Sequence, residues 1–591
     1  MAKRISILLA VGLCFLFLAG CSPAPEIPVQ YDPDSLSFSG ERAYAIEEAF
    51  VTKYPYRVSG TAVSSEAADW LQSEFARLGW NCELDTWETV NYSEPVTYRN
   101  VVCRLAGADP REILVMAHHD IAATTEQGAD NDGSGVAVML HLAEIFTEEQ
   151  PLPYSLAFVV TDAEEYGMVG SKRFVDTVPD PENIIAGISL DNLGRDYYDK
   201  MVVEQSGQFK YSDYGPVWVA LVSQEAANAA DGLWEVVLKD PVSQVLEQAV
   251  PISLTDQGPL NAAGIPAIGY GAGYPAEYGD LHYQLWHDPG DNMEHQSPVA
   301  LEQSGLLTEA WVRQLLAMDQ FPEQSGPYLY FGSSRSMLRG VPLYLIFFGL
   351  VGLFFAASFL VGTRNLDQKF AGWKRALPHY LGILLPLVAG LLLLYLFVEI
   401  GILVKYDQYP ATTKDPAMLN PDWLAIVLYL LGLAVFFLIG RWLLRRFTAG
   451  KPVPEIGSIK SLSFLIIGLF GIFVVVVNPF ALLFFVPLFF WLLIGGRQGV
   501  GRLLDLFFFL LGGLMLYALI YYFGFVMLRY GIVFLWYFMN AISSQMFGFL
   551  SSLCGFAILA AGLALVIPPP KTAARGADVV PDSLSAKPVG G

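Results

Sequence analysis

Seven long apolar runs fill the second half of the chain, at roughly 341–362, 378–404, 423–443, 462–478, 480–495, 503–528 and 548–568. Each approaches the length at which a helix crosses a bilayer, about 20 residues. Residues 341–568 are therefore expected to form an all-α polytopic transmembrane domain, with a polar tail at 569–591. The run 480–495 is short and comes after Asn478-Pro479, which suggests a tight hairpin with its neighbour. A further run at 532–549 reads either as interfacial or as an eighth span. Basic side chains gather in the loops around 364–375, 441–460, 497–502 and 571–575, while those near 405–422 and 479 carry few. Counted span by span, the basic loops share one side and the front half takes the other. The positive-inside rule then places the front half outside the cytoplasm.

The N-terminus gives the same orientation independently. Lys3 and Arg4 precede an apolar run at 5–19, which leads into Leu18-Ala19-Gly20-Cys21. A basic start, a short apolar core and small residues before a cut make an export signal. The ending resembles a bacterial lipoprotein signal, which implies lipidation of Cys21 and removal of residues 1–20. Residues 22–37, rich in Pro and polar side chains, read as a tether. A globular domain is expected at 38–325, and 326–340 reads as a linker.

Charge is divided unequally between the halves. Of 35 basic and 57 acidic residues, 17 and 9 lie from Val341 on, leaving 18 and 48 in front, a net of −30 there. An acidic front half argues against nucleic acid, whose phosphates demand the opposite sign, and the rear half has the lipid bilayer as its expected partner. Cys82 and Cys103 sit in neighbouring strand-like runs and either pair, as an oxidising compartment allows, or remain as buried thiols.

The chemistry is concentrated at 113–191. Four apolar runs carry this stretch, and at or just beyond the ends of three of them stand metal-binding side chain types: His118-His119-Asp120, Glu164-Glu165 and Asp191. Between them lies the acidic loop Asp130-Asn131-Asp132. Strands whose carboxyl ends carry such groups describe one crevice at the edge of an open α/β sheet. Imidazole and carboxylate suit zinc, and a catalytic site leaves one position open. Asp120 is placed to hold the His118 imidazole by its other nitrogen. The adjacent carboxylates of Glu164 and Glu165 suit two jobs, moving a proton and binding metal. His287 offers a late imidazole.

In this order the motifs resemble those of the co-catalytic zinc exopeptidases typified by aminopeptidase Y and the bacterial leucyl aminopeptidases. They are His118-His119-Asp120, Gly128-Ala-Asp-Asn-Asp-Gly-Ser-Gly135, Glu164-Glu-Tyr-Gly-Met-Val-Gly-Ser171, Leu190-Asp191-Asn-Leu-Gly194 and His287-Asp-Pro-Gly-Asp291. The resemblance covers roughly 40–320, and the multi-span layout is similar to the endoplasmic reticulum metallopeptidase branch. It implies an α/β fold, a mostly parallel mixed sheet with helices on both faces. It also implies a zinc-dependent aminopeptidase acting on peptides outside the cytoplasm, while the helical spans and the lipoprotein-like start lead to the expectation of a bacterial inner membrane. The expected site is two zinc ions, or one, held by His118, Glu165, Asp191 and His287, with Glu164 and Asp120 in catalysis. The metal-bridging aspartate of the family falls on Asn131, and a one-residue shift would bring Asp130 or Asp132 to its place. A second departure, Thr255-Asp256-Gln257 where relatives carry Ser-Asp-His, is expected to affect the substrate pocket. Two other readings stay open: a binding protein on an impaired peptidase fold, suggested by Asn131, and a transporter-like protein with an accessory ectodomain, suggested by the spans.

Overall fold

The strand β4 (Asp109–His118) and the strand β5 (Tyr154–Thr161) pair in parallel, and β6 (Ile184–Asp191) pairs in parallel on the other side of β4. Every residue of β5 and β6 is buried. This explains their near-continuous apolar sequences, because a parallel sheet covered on both faces has no polar side. In the computed structural model, which describes residues 20–569 except 92–93, 209, 324–325, 364, 404–420, 498–500, 502, 506, 508–532 and 546–547, these strands form the middle of an eight-stranded sheet.

An antiparallel hairpin, β2 (Asn81–Asn91) and β3 (Glu94–Leu105), joins along β5. Beyond β6 come β9 (Ala267–Gly273), then β7 (Lys200–Glu204) and β8 (Glu235–Val237), giving the order β2-β3-β5-β4-β6-β9-β7-β8. The chain passes from β4 to β5 on one side and then crosses back over β4 to β6 on the other, so the order reverses there. A crevice at the carboxyl end of the sheet opens at such a switch point. Cys82 and Cys103 are opposite each other in register and form a disulfide.

Helices Gly40–Lys53, Ala62–Arg77, Ser134–Glu148, Val217–Ala229 and Pro298–Ala317 pack with the sheet around one large apolar core. A smaller cluster between Phe174, Leu260 and Met116 fills the opposite face. The apolar run at 135–140 lies in the third of these helices. The mixed α/β architecture expected from the motifs is therefore the one observed.

Two connecting segments differ from their sequence reading. The expected tether at 22–37 is packed down: Ile27 and Tyr31 are buried, and Gln314 accepts from the Gln30 amide and donates to the Pro28 carbonyl. The expected linker at 326–340 is a hairpin, β10 (Tyr328–Phe331) with β11 (Ser336–Arg339), and β1 (Cys21–Pro23) adds to its edge. Apolar side chains explain both departures, since Tyr328, Tyr330, Met337 and Leu338 are all buried.

Five described helices are long and apolar enough to cross a membrane: Val341–Leu360, Leu366–Glu399, Trp423–Thr448, Ile456–Val477 and Phe549–Val566. The run at 480–495 is instead a 3-10 segment, Pro479–Phe485, leading into a nine-residue helix. Asn478 caps this segment and Pro479 opens it, which shortens the helical part. Most of the run expected at 503–528 and the tail at 570–591 lie outside the described residues. At 532–549 there is a ten-residue helix, Phe534–Ser543.

The two halves touch through a defined joint. The Asn478 amide donates to the Gln248 and Ala249 carbonyls at 2.9 and 3.1 Å. Around it Ala249, Leu338, Leu343, Phe347, Val475 and Phe480 form one apolar cluster.

Candidate active site

His118 is the last residue of β4, and its position is fixed from several sides. Its Nδ1 lies 3.2 Å from the Asp120 carbonyl and 3.3 Å from Asp120 Oδ1. The same carboxylate accepts from the amides of Glu164 and Glu165 at 3.1 and 3.2 Å and from the Ser59 hydroxyl at 2.9 Å. Asp120 therefore ties the end of β4 to the turn after β5.

That turn is tight. Ala163 and Met168 adopt positive φ, as does Gly167 at 95°. A Cβ on Gly170 would lie 2.3 Å from the Asp162 carbonyl and 2.6 Å from Asn100 Oδ1. Only glycine lets the strand β3 and this turn approach so closely. The turn directs both Glu164 and Glu165 inward, and both are buried.

Asn131 stands at the centre of the crevice. Its Oδ1 is 2.8 Å from His118 Nε2, and its Nδ2 is 2.9 Å from both Glu165 Oε1 and His287 Nε2. His287 Nε2 and Glu165 Oε1 are themselves 3.0 Å apart. On the other side His118 Nε2 lies 4.0 Å from Asp191 Oδ1 and 3.9 Å from Glu164 Oε2. His118, Glu164, Glu165, Asp191 and His287, far apart in sequence, thus converge.

The expected shift that would bring Asp130 or Asp132 into this centre is not what the loop does. Asp130 accepts from Arg195 Nε at 2.7 Å, the Tyr198 hydroxyl at 2.6 Å and the Gly194 amide at 2.9 Å. Asp132 accepts from the His118 and Gly135 amides at 3.1 and 2.9 Å. Both carboxylates are consumed in holding the loop. Asp291, the last residue of the late motif, accepts from the Asp130 and Asn131 amides and from Arg195. Arg57 completes the frame by donating to the carbonyls of His119, Gln127 and Gly128.

Arg195 and Arg57 were not singled out by the motifs. Each is fully buried. The only sequence hint for Arg195 is its place directly after Leu190-Asp191-Asn-Leu-Gly194. His119 is structural, its Nδ1 facing the Thr161 carbonyl and its Nε2 the Ser64 hydroxyl. Asp256 accepts from Thr161, and Gln257 is buried against Ser253. Tyr274 stacks on His282, Tyr197 on Tyr278, and Trp286 lies against His287.

Burial dominates the electrostatics. It pushes the Glu164 carboxyl well above the usual carboxylate range, with the Asp256, Glu165 and Asp191 charges adding to it and His118 opposing. Asp191 is pushed up to about 8, chiefly by burial, with Glu165 and Asp130 adding. Glu164 Oε1 has no hydrogen-bond partner among the described residues. Crowded buried carboxylates facing imidazole nitrogens are the donor chemistry that zinc takes, and a cation relieves their repulsion. The residues fit a metal on these grounds.

Comparison with known proteins agrees with this arrangement. Residues 100–312 match the model of peptidase family M28. The chain is 28% identical over 210 residues to the alkaline phosphatase isozyme conversion protein of Escherichia coli, covering 31% of this chain and 56% of that protein. It is 29% identical over 220 residues to aminopeptidase YwaD of Bacillus subtilis, covering 36% and 43%. It thus spans about half the length of these curated relatives. Among solved structures, a zinc aminopeptidase from Bacillus subtilis aligns with a TM-score of 0.40 and 16% identity, over 48% of this chain and 96% of that one. With its five motifs gathered at the carboxyl edge of the sheet, the chain is similar over residues 100–312 to peptidase family M28.

Proposed function

We propose that the protein is a membrane-anchored zinc metallopeptidase of aminopeptidase type, hydrolysing peptides on the extracytoplasmic side of a bacterial inner membrane. The observation that carries the reading is the convergence of His118, Glu164, Glu165, Asp191 and His287 in one buried crevice. His118 and Asp191 on one side of Asn131, and Glu165 and His287 on the other, are the groups available to hold metal. Bound there, zinc would polarise the scissile carbonyl and make water more acidic.

The remaining work falls to side chains. Glu164, with one oxygen unpartnered among the described residues and 3.9 Å separating its other oxygen from His118 Nε2, is placed to take a proton from water. Its raised affinity for protons suits it to return that proton to the departing amine. Asp120 positions both His118 and the Glu164 amide, so it acts through them. Trp286, against the His287 ring, offers apolar surface for a substrate side chain.

Anchoring is supported by the five apolar helices and by the placement of Cys21. That residue packs in the apolar cluster containing Leu343 and Phe347, at the start of the first of these helices. A lipid on its thiol would enter the bilayer beside that helix. One observation favours a second reading, a peptidase-fold binding protein with little turnover: Asn131, a neutral amide, stands where the family carries a bridging carboxylate.

Glu164→Gln in the full chain separates these readings. Removal of a general base costs about 10²–10⁴ in rate. The expected result is loss of peptide hydrolysis on that scale with zinc content unchanged. Turnover equal to the parent would refute the assignment, and absence of turnover in the parent would favour the binding protein.

A further inference from the structure

Asn131 does more than replace a ligand; its two ends face different partners. A carboxylate presents two anionic oxygens, one to each of two cations. A carboxamide presents one neutral oxygen and an NH₂ whose hydrogens repel a cation. The orientation of this amide is set by its surroundings. Glu165 Oε1 only accepts, so the nitrogen turns to it, and the second hydrogen meets His287 Nε2; both distances are 2.9 Å. The two hydrogens of Nδ2 are thereby used, and the Glu165–His287 half of the crevice is already satisfied.

The other half presents only groups that can ligate a cation. His118 Nδ1 faces Asp120, which would keep the Nδ1 hydrogen when Nε2 ligates a metal. His118 Nε2 lies 2.8 Å from Asn131 Oδ1, and Asp191 Oδ1 lies 4.0 Å from the same nitrogen. A cation replacing the Nε2 hydrogen would meet these three atoms together. Asn192 Nδ2 donates to Asp191 Oδ1 at 2.5 Å and orients that carboxylate.

Resting on the proposed metallopeptidase reading, we infer that Asn131 converts a two-ion site into a one-ion site. A single divalent cation is held by His118 Nε2, Asp191 and Asn131 Oδ1. The Asn131 NH₂ takes the place of the second ion between Glu165 and His287. The amide cannot shift to vacate that place by a register change, because the flanking residues Asp130 and Asp132 are each pinned by three and two donors respectively.

The test is metal stoichiometry of the full chain in detergent, by equilibrium dialysis against zinc and then elemental analysis. One ion per parent chain and two per Asn131→Asp chain are expected. His118→Ala should release the parent's ion and His287→Ala should retain it, with circular dichroism confirming that each variant is folded. Two ions in the parent would overturn the inference while leaving the peptidase reading intact. One ion in Asn131→Asp would overturn the role of the amide. Retention in His118→Ala with loss in His287→Ala would overturn the choice of half-site. No ion in the folded parent would overturn the peptidase reading itself.

Discussion

Replacing Arg195 by methionine keeps much of the side chain's length and removes its charge. The guanidinium is fully buried and sits 2.7 Å from Asp130 Oδ2 and 3.2 Å from Asp291 Oδ1. Both carboxylates would be left without their cation in the interior. Breaking a buried pair by removing one partner costs about 3–5 kcal/mol. At about 2–4 °C per kcal/mol for a domain of this order of size, the midpoint should fall by roughly 6–20 °C. Asp291 is already pushed up to about 6, first by burial, with Arg195 holding it down and Asp130 pushing it higher. Without Arg195 it would rise further. A carboxyl raised in this way imposes no penalty below its unfolded pKa of about 4 and its full penalty above its folded one. The Arg195→Met deficit should therefore be largest near pH 8 and shrink as the pH is lowered towards 5. Thermal unfolding of the full chain in detergent, monitored by circular dichroism at several pH values, measures both effects. Adding Asp130→Asn should recover part of the loss, with a coupling on the order of 0.5–3 kcal/mol. An Arg195→Met midpoint within about 1 °C of the parent at pH 8, or a deficit that grows on acidification, would refute the reasoning.

Other parts of the structure carry three further expected outcomes. Gly170→Ala should lower stability by roughly 1–3 kcal/mol and weaken zinc binding, because its Cβ meets backbone at Asp162; a midpoint and zinc affinity equal to the parent's would contradict this. Glu247 is pushed up to about 7 by burial and by Glu204, against the pull of Lys239. Its raised pKa favours the fold below about pH 4 and is lost as the pH rises through 7, so Glu247→Gln should flatten the stability decline across that window by up to ~3 kcal/mol; parallel pH profiles would argue against it. Asn478→Leu leaves the Gln248 and Ala249 carbonyls without their donor, a cost of about 1–3 kcal/mol. Hydrogen exchange should then speed up at 241–250 and remain unchanged at β4, and uniform protection in both would show that the joint does not depend on this amide.

Much of the site was legible because parallel strands bring the residues at their carboxyl ends to a common edge. His118, Glu164, Glu165 and Asp191 lie at or just past the ends of three apolar runs, and parallel pairing of β4, β5 and β6 gathers them. Continuous burial makes those strands recognisable from composition alone. The segments 22–37 and 326–340 read as loose because Pro, Gly and Ser dominate them; a few large apolar side chains, Ile27, Tyr31, Tyr328 and Tyr330, decide their burial.

What the amino-acid order by itself determined is the set of groups available: two imidazoles, a pair of adjacent glutamates, an aspartate at a strand end and an acidic loop, in front of an apolar half. What only the tertiary structure decided is which member of Asp130-Asn131-Asp132 reaches the centre. The three are neighbours in sequence and differ by one residue of register. Their placement depends on Arg195, Tyr198 and Asp291, 65 to 161 residues away, which claim Asp130 or the loop amides and leave the crevice to Asn131. Local spacing can supply candidates for a site, but a choice among adjacent side chains is made by long-range partners that spacing does not encode.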